Sequence, residues 1–160
     1  VIVEGIVSEN LSHARRALER KLPVLCEKPA GTTIAEAEAT FALAKRQGVH
    51  LQMAYLFRYM SAVEEMLRRA KRGDIGHVYE FRGRLPKDLP LYQEHVDTLG
   101  QYSGGIFFEM AGHAIDFMCS ILGPPREIQS VVGHHHPTRD GQFVDNGAAL
   151  FGFDKALGIV

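Results

Sequence analysis

The feature that most constrains this chain is an alternation of strand-like and helix-like segments in its first third. Apolar runs at 1–7, 24–26 and 49–54 have the length and β-branched content of buried strands. Segments with apolar residues at three- to four-residue spacing separate these runs, at 13–20 and at 34–47. Such an alternation predicts an α/β fold, with a parallel sheet covered by helices.

Capping residues suggest where these two helices begin and end. Thr33 opens a Thr-x-x-Glu capping box at the start of the second helix, and Gly48 is placed to end it. Before the first helix, residues 8–10 are predicted to form a loop. Asn10 or Ser12 would then be the helix N-cap.

The pattern changes near residues 55–60, which predicts a domain boundary between residues 56 and 57. The second part is predicted to be an α+β domain with antiparallel strands. The segment 91–102 is ambiguous. The predicted helices of this part lie at 62–71 and 106–122, and its predicted strands at 77–84, 128–133 and 148–153.

Composition excludes several classes of partner. The net charge of −1 gives no reason to expect a nucleic acid or an acidic membrane as partner. No apolar run approaches the roughly 20 residues of a membrane span. Two cysteines, Cys26 and Cys119, are too few for a disulfide framework and fit a reducing cytoplasm.

The two ends of the sequence suggest a piece of a longer protein. The chain opens without Met inside an apolar strand and stops inside the apolar segment 156–160. Natural termini are usually polar and exposed. We therefore interpret the chain as an internal fragment, whose upstream part would contain any signal peptide and any glycine-rich cofactor motif.

Glu27-Lys28-Pro29 directly follows the apolar run at 24–26. Open α/β sheets bind their ligands at the carboxyl ends of their strands. A lysine there brings a positive charge and three hydrogen-bond donors, which can polarise a hydroxyl or carbonyl or pass a proton. A surface lysine in a turn fits the same residues equally well.

Glu109, His113 and Asp116 share one face of the predicted helix at 106–122. Imidazole titrates near neutral pH and suits proton exchange with an alcohol or ketone. A carboxylate one turn away can orient the ring, and Gly104-Gly105 permits close approach of a ligand. A satisfied histidine with two solvated acids remains the alternative, and a zinc site is less well supported.

Several further residues allow both a functional and a structural interpretation. Arg58 follows a strand end and could bind a carboxylate, phosphate or sugar hydroxyl, whereas Phe57 suits core packing. His13 could line a cofactor cleft, or it could cap the first helix and face solvent. Residues 134–136, three consecutive histidines, are predicted to be a solvated loop with adventitious metal affinity. The sequence contains no GxGxxG, P-loop, nucleophile elbow or CxxC motif.

In combination these motifs resemble the glucose–fructose oxidoreductase / inositol dehydrogenase (Gfo/Idh/MocA) family over essentially the whole chain. Residues 8–13 are similar to the family's Thr-Pro-Asn…His segment, and residues 25–29 match its Glu-Lys-Pro signature. Residues 54–59 resemble Gly-Tyr…Arg-Phe, and residues 104–116 resemble Gly-Gly…Asp…His…Asp.

The resemblance implies a two-domain NAD- or NADP-dependent oxidoreductase. Residues 1–56 would be the C-terminal part of a Rossmann domain. Residues 57–160 would be a truncated substrate and oligomerisation domain with an open, mainly antiparallel sheet. The expected substrate is a polyol or sugar, and the expected assembly is a homo-oligomer, a dimer or tetramer, through that sheet. No metal is implied.

The resemblance also implies the site residues. His113 would take a hydroxyl proton while hydride leaves to the nicotinamide, Lys28 would bind that hydroxyl, and Pro29 would set the turn, often with a cis bond. The implied residues are Lys28, His113 and Glu109 for catalysis; Ser8, Asn10, His13, Glu27, Lys28, Pro29 and Arg58 for the cofactor; and Lys28, Tyr55, His113 and Asp116 for the substrate.

Glu109 stands where the family has Asp, and this departure keeps two alternatives open. An additional methylene displaces the carboxylate by about an ångström, which matters where reacting groups must lie within ~3–3.5 Å. The alternatives are a glycosidase that works through transient oxidation with the same cofactor and a non-enzymatic ligand sensor.

Overall fold

The computed structural model describes residues 1–88, 96, 98–100, 103–135 and 143–160. The chain divides into two units, Val1–Tyr55 and Leu56–Val160. The ambiguous segment 91–102 lies largely outside the described residues. So does the part of the histidine-containing loop that runs from His136 to Gln142.

The first unit contains a three-stranded parallel sheet and two helices that pack against each other. The predicted parallel α/β arrangement is confirmed. The strands follow the order β1-β2-β3, and Cys26 of β2 pairs with Val3 on one side and with Met53 on the other. The elements are β1 (Ile2–Val3), α1 (Val7–Glu19), β2 (Val24–Glu27), α2 (Ile34–Gln47) and β3 (Leu51–Ala54).

Helix α1 begins earlier than the sequence predicts, so the predicted loop at 8–10 is wrong. The N-cap is Ile6, which provides no side-chain cap. Its carbonyl accepts hydrogen bonds from the backbone N–H groups of Glu9 and Asn10, at 2.8 and 3.2 Å. The helix buries Leu11 and Leu18 completely, and this packing favours helix over a loop. Asn10 is buried within the helix and does not cap it.

Helix α2 has the ends that the sequence predicts. The Thr33 hydroxyl accepts a hydrogen bond from the Glu36 N–H at 3.2 Å. Gly48 adopts the left-handed conformation with φ of 63°, which an L-residue with a side chain rarely adopts. Leu43 and Ala44 of this helix join the core that α1 and β2 form.

The second unit contains a four-stranded sheet in the order β4-β7-β6-β5. The β5–β6 and β6–β7 pairs are antiparallel and the β4–β7 pair is parallel, which confirms a mainly antiparallel sheet. The predicted strand at 77–84 shortens to three residues. The elements are a 3₁₀ helix (Leu56–Tyr59), α3 (Ser61–Arg72), β4 (Glu80–Arg82), α4 (Gly105–Leu122), β5 (Glu127–Gly133), β6 (Asn146–Gly152) and β7 (Leu157–Ile159).

Helix α4 packs on one face of this sheet. Met118 is completely buried in a cluster with Ala149 and Phe151 of β6. A side chain at Gly158 would collide with the sulfur of Met118, so the glycine permits this close packing. The register places Val131, Leu150 and Leu157 on the opposite face, where all three are exposed.

Among the described residues, α4 is the helix that is long and apolar enough to cross a membrane by length and composition, with a mean hydropathy of 1.3. The sequence expectation overlooked it because Glu109 and Asp116 interrupt the apolar run. Its apolar side chains include those that pack on the sheet, such as Met118. A core helix meets the same criterion, so this observation is weak support for a membrane span.

Candidate active site

Lys28 lies directly beyond the carboxyl end of β2, and only 8% of its surface is exposed. The Lys28–Pro29 peptide bond is cis. The turn closes with a hydrogen bond from the Gly31 N–H to the Pro29 carbonyl at 2.9 Å. A Cβ at Gly31 would lie 2.6 Å from the Leu11 side chain and would require φ of 72°. Close packing therefore fixes the turn that holds Lys28 at the edge of the sheet.

Asn10 lies in the first turn of α1, the helix that follows β1, and is 1% exposed. Neither its side-chain oxygen nor its side-chain nitrogen has a hydrogen-bond partner among the described residues. A buried amide without partners costs about 1–3 kcal/mol for each unsatisfied group. The oxygen lies 3.4 Å from the point where a Cβ at Gly5 would stand. A polar ligand group at this edge would satisfy the amide, so Asn10 fits a cofactor-binding role.

The other candidates in the first unit follow the carboxyl ends of the three strands. Ser8 is exposed in the first turn of α1. Nε2 of His13 lies 3.7 Å from a carboxylate oxygen of Glu9 on the same helix. Glu27 ends β2 and Tyr55 follows β3, both half-buried. Parallel strands end at one edge of a sheet, so Glu27 and Tyr55 share the edge where Lys28 lies, whereas Ser8 and His13 belong to α1.

In the second unit, Glu109, His113 and Asp116 lie on one face of α4, as predicted. His113 is 5% exposed, and the Asp116 side chain is 12% exposed. The helix begins at Gly105, whose N-terminal neighbour Gly104 has φ of 92°. A Cβ on Gly105 would lie 2.3 Å from the Val144 carbonyl oxygen. Gly105 therefore allows the segment that precedes β6 to approach the start of the helix.

The 3₁₀ helix contacts the same face of α4 with two consecutive side chains. The Phe57 ring stacks on His113, with 4.6 Å between ring centroids and 24° between ring planes. The Arg58 guanidinium donates to both carboxylate oxygens of Asp116, at 2.7 and 2.5 Å. Arg58 and Asp116 thus bind each other, and their predicted ligand-binding roles stay predictions.

Burial distinguishes three of the polar candidates from the other polar candidates. Among the described residues, the buried polar or charged side chains are Asn10, Lys28, Thr40 and His113. Thr40 has a structural role, because its hydroxyl donates to the Glu36 carbonyl at 2.8 Å. The other three are residues that the family resemblance assigns to the site. Polar groups are rarely buried without a structural or functional reason.

Phe57 is the contact that sequence reasoning missed, because core packing was the simpler interpretation of an aromatic residue there. The one indication in the sequence was that Phe57 immediately precedes Arg58, a candidate site residue. In a single turn of 3₁₀ helix, adjacent residues can both reach one neighbouring helix.

A cavity of about 300 Å³ lies against a different face of α4, lined by Ile106, Phe107, Met110 and Ala111. Arg84, Lys87 and Asp145 provide polar groups to its wall. Both Asp145 carboxylate oxygens accept from the His135 N–H, at 3.0 and 2.9 Å. Sequence reasoning did not single out Arg84, Lys87 or Asp145, because they come from separate segments of the chain.

Two residues of the histidine run, His134 and His135, are described, and both are exposed. The His135 ring lies beside Asp145, with 3.4 Å between Nδ1 and Oδ1. His136 lies outside the described residues. Within the described ranges, no group of three or more His, Cys, Asp or Glu side chains is arranged to hold a metal ion.

The thiol of Cys26 lies one residue before Glu27 and is completely buried. Burial, with a smaller contribution from the charge of Glu27, raises the pKa of this thiol from 9.0 to about 11. Burial, followed by the charge of Asp116, likewise raises the pKa of Cys119. Neither thiol therefore has the lowered pKa of a reactive cysteine.

The raised pKa of Cys26 predicts a loss of stability in alkali. The folded state keeps the proton longer than the unfolded chain, so the stabilisation is complete below pH about 9 and is lost as the pH rises through about 11. We expect the free energy of unfolding to fall by roughly 2 kcal/mol more in the wild type than in Cys26→Ala over that range. Urea titrations measure this difference, and equal pH dependence in the two proteins would contradict the prediction.

Comparison with known proteins identifies the family. Residues 1–55 match the model of the oxidoreductase family with an NAD-binding Rossmann fold, and residues 63–160 match the GFO/IDH/MocA C-terminal domain. The chain belongs to the Gfo/Idh/MocA family of oxidoreductases.

One similar protein is trans-1,2-dihydrobenzene-1,2-diol dehydrogenase from Mus musculus, 32% identical over 116 residues, which cover 72% of this chain and 34% of the relative. The chain spans about a third of the length of the curated relatives it matches.

Solved structures of two inositol dehydrogenases share the fold with this chain. Myo-inositol 2-dehydrogenase from Lactobacillus plantarum has a TM-score of 0.88 at 20% identity, covering 99% of this chain and 48% of that one. Scyllo-inositol dehydrogenase from Lactobacillus casei, solved with NAD(H) and scyllo-inositol, has a TM-score of 0.82 at 22% identity, covering 97% and 47%.

Proposed function

We propose that the protein containing this chain is a nicotinamide-dependent oxidoreductase that transfers hydride between NAD or NADP and a sugar, cyclitol or related polyol. The single observation that carries the proposal is the burial of Lys28 and His113. Lys28 directly follows strand β2 of the parallel sheet, and His113 lies on helix α4 of the second unit. Family membership supports the same reaction class.

His113 is the proposed acid/base. In the oxidative direction its ring accepts the proton of the reacting hydroxyl as the carbon–hydrogen bond breaks, and it returns the proton in reduction. A bound nicotinamide supplies the hydride acceptor or donor. Glu109, four residues earlier on the same face, is proposed to orient and balance the charged ring. Proton transfer of this kind typically contributes 10²–10⁴-fold in rate.

Lys28 is the proposed ligand of the reacting oxygen. An ammonium donor stabilises the negative charge that develops on that oxygen, and its effect is stronger where water is excluded. The closely packed turn at Pro29 and Gly31 holds the lysine without requiring it to reorganise during the reaction. Tyr55 and Asp116 are the further proposed substrate contacts.

Asn10 supports the cofactor assignment most directly, because its buried amide can pair with polar groups of a dinucleotide. The remaining proposed cofactor contacts rest on the match to the family's motifs. They are Ser8, His13, Glu27, Pro29 and Arg58. The glycine-rich motif is not in this sequence, and NAD is distinguished from NADP by an acidic residue that follows that motif.

The second unit is proposed to provide the substrate-binding and oligomerisation domain. The open face of its sheet exposes Val131 at 76% and Leu150 at 47%. Exposed apolar residues on one sheet face suit association with a second copy. The proposed assembly is a homo-oligomer, a dimer or a tetramer, through this face.

The names of relatives provide the first substrates to test. Full-length protein is titrated with NAD+ and NADP+ by calorimetry. It is then assayed with scyllo-inositol, myo-inositol and trans-1,2-dihydrobenzene-1,2-diol at the reduced-nicotinamide absorbance band. We expect one cofactor to bind and at least one polyol to reduce it.

Failure of both cofactors to bind would overturn the proposal. Cofactor binding without net reduction, together with aglycone release from an aryl glycoside, would instead favour the glycosidase alternative. Glu109, in place of the family's Asp, is the feature that keeps a sensor under consideration. A sensor would bind its ligand normally with Lys28 substituted.

A further inference from the structure

Phe57 lies against a side chain to which the proposed reaction assigns a chemical step. Its ring stacks on the His113 imidazole with centroids 4.6 Å apart and planes inclined by 24°. We propose that Phe57 is a positioning residue that fixes the plane of the His113 ring for proton transfer, an inference that rests on the proposed role of His113.

An imidazole needs such a restraint because rotation about its χ2 bond is broad and has no sharp staggered minima. Proton transfer requires one particular ring nitrogen to lie within hydrogen-bond reach of the reacting oxygen. A flat ring stacked on the imidazole opposes rotation about χ2, because rotation would drive one ring edge into the other. An aliphatic side chain can fill the same volume without defining that plane.

The 3₁₀ helix that holds Phe57 is itself attached to α4 at the next residue. Arg58 donates two hydrogen bonds to Asp116, whose side chain is only 12% exposed. A bidentate pair restricts both distance and orientation. The Phe57 backbone is therefore held on α4 at a point three residues from His113 along that helix.

A set of variants in the full-length protein separates positioning from general packing. Phe57→Leu keeps an apolar side chain but removes the flat ring, and Phe57→Tyr keeps the ring. We expect Phe57→Leu to lower kcat for polyol oxidation about 10-fold, because a small misplacement of a catalytic group is costly. KM, cofactor affinity and thermal midpoint should change little. Phe57→Tyr should retain wild-type kcat.

The decisive control is a double-mutant cycle with His113→Asn. If Phe57 acts through His113, Phe57→Leu will have no further effect on kcat once the imidazole is absent. A similar loss in both backgrounds, or a loss that Phe57→Tyr does not rescue, would overturn the positioning role.

The same cycle separates this inference from the proposed function. If His113→Asn lowers kcat by about 10²–10⁴-fold but Phe57→Leu leaves kcat unchanged, the positioning inference is wrong and the acid/base assignment stands. If His113→Asn itself leaves kcat unchanged, the acid/base assignment is wrong and the positioning role fails with it.

Discussion

Replacing His113 with Asn is expected to lower kcat/KM for polyol oxidation by about 10²–10⁴-fold in the full-length protein, the usual contribution of a positioned acid/base group. The reason is that the side chain which remains cannot take up the hydroxyl proton near neutral pH. Asn is chosen because it keeps a polar, planar group in a site that is 5% exposed. Stopped-flow absorbance at the reduced-nicotinamide band measures the effect.

His50→Asn is the matched control for this variant, since His50 is exposed in the first unit and its ring contacts Gln52. We expect the control to keep wild-type turnover. The cofactor affinity of the His113 variant should also stay close to that of the wild type. Wild-type kcat/KM in His113→Asn would remove the proposed acid/base role.

Replacing Lys28 with Met should lower kcat/KM by about 10²–10³-fold, the range seen when one donor to a developing oxyanion is lost. Met keeps an unbranched apolar stem in a position that is only 8% exposed, so the main change is loss of the ammonium group. Because Lys28 is also a proposed cofactor contact, the dissociation constant for the nicotinamide cofactor should rise. Steady-state kinetics and calorimetry measure the two effects separately.

Lys45→Met provides the comparison, because Lys45 is exposed in the last turn of α2, in the same unit. Its substitution should leave both quantities unchanged. Normal cofactor binding and normal turnover in Lys28→Met would contradict the proposed roles of Lys28 in cofactor binding and catalysis.

Much of the first unit was predictable because its signals are local. Apolar runs define β2 and β3, and Thr33 and Gly48 define the ends of α2. The start of α1 was mispredicted for an equally local reason. Asn10 has the chemistry of an N-cap. The packing of Leu11 and its neighbours nevertheless favours a helix that begins at Val7, before Asn10.

Contacts between distant segments could not be predicted in the same way. Arg58 and Asp116 are 58 residues apart in sequence, and nothing near either residue indicates the other. The Phe57–His113 stack depends on the same long-range approach. The short β4 strand likewise exists only where it pairs with β7, so alternation of side chains alone overestimated its length.

The burial of Lys28 could not be predicted from the sequence. A residue just past a parallel strand lies at the edge where such sheets bind ligands, but sequence alone left a surface turn equally open. The exposure of 8% distinguishes between these alternatives.

The central claim is that hydride passes directly between a polyol carbon and the nicotinamide. Its most direct test uses the polyol that gives turnover in the assay above, labelled with deuterium on its carbinol carbons. Mass spectrometry of the reduced cofactor formed by the full-length protein is expected to show one deuterium on the nicotinamide. Reduced cofactor that contains no deuterium would contradict direct hydride transfer and, with it, the proposed roles of Lys28 and His113.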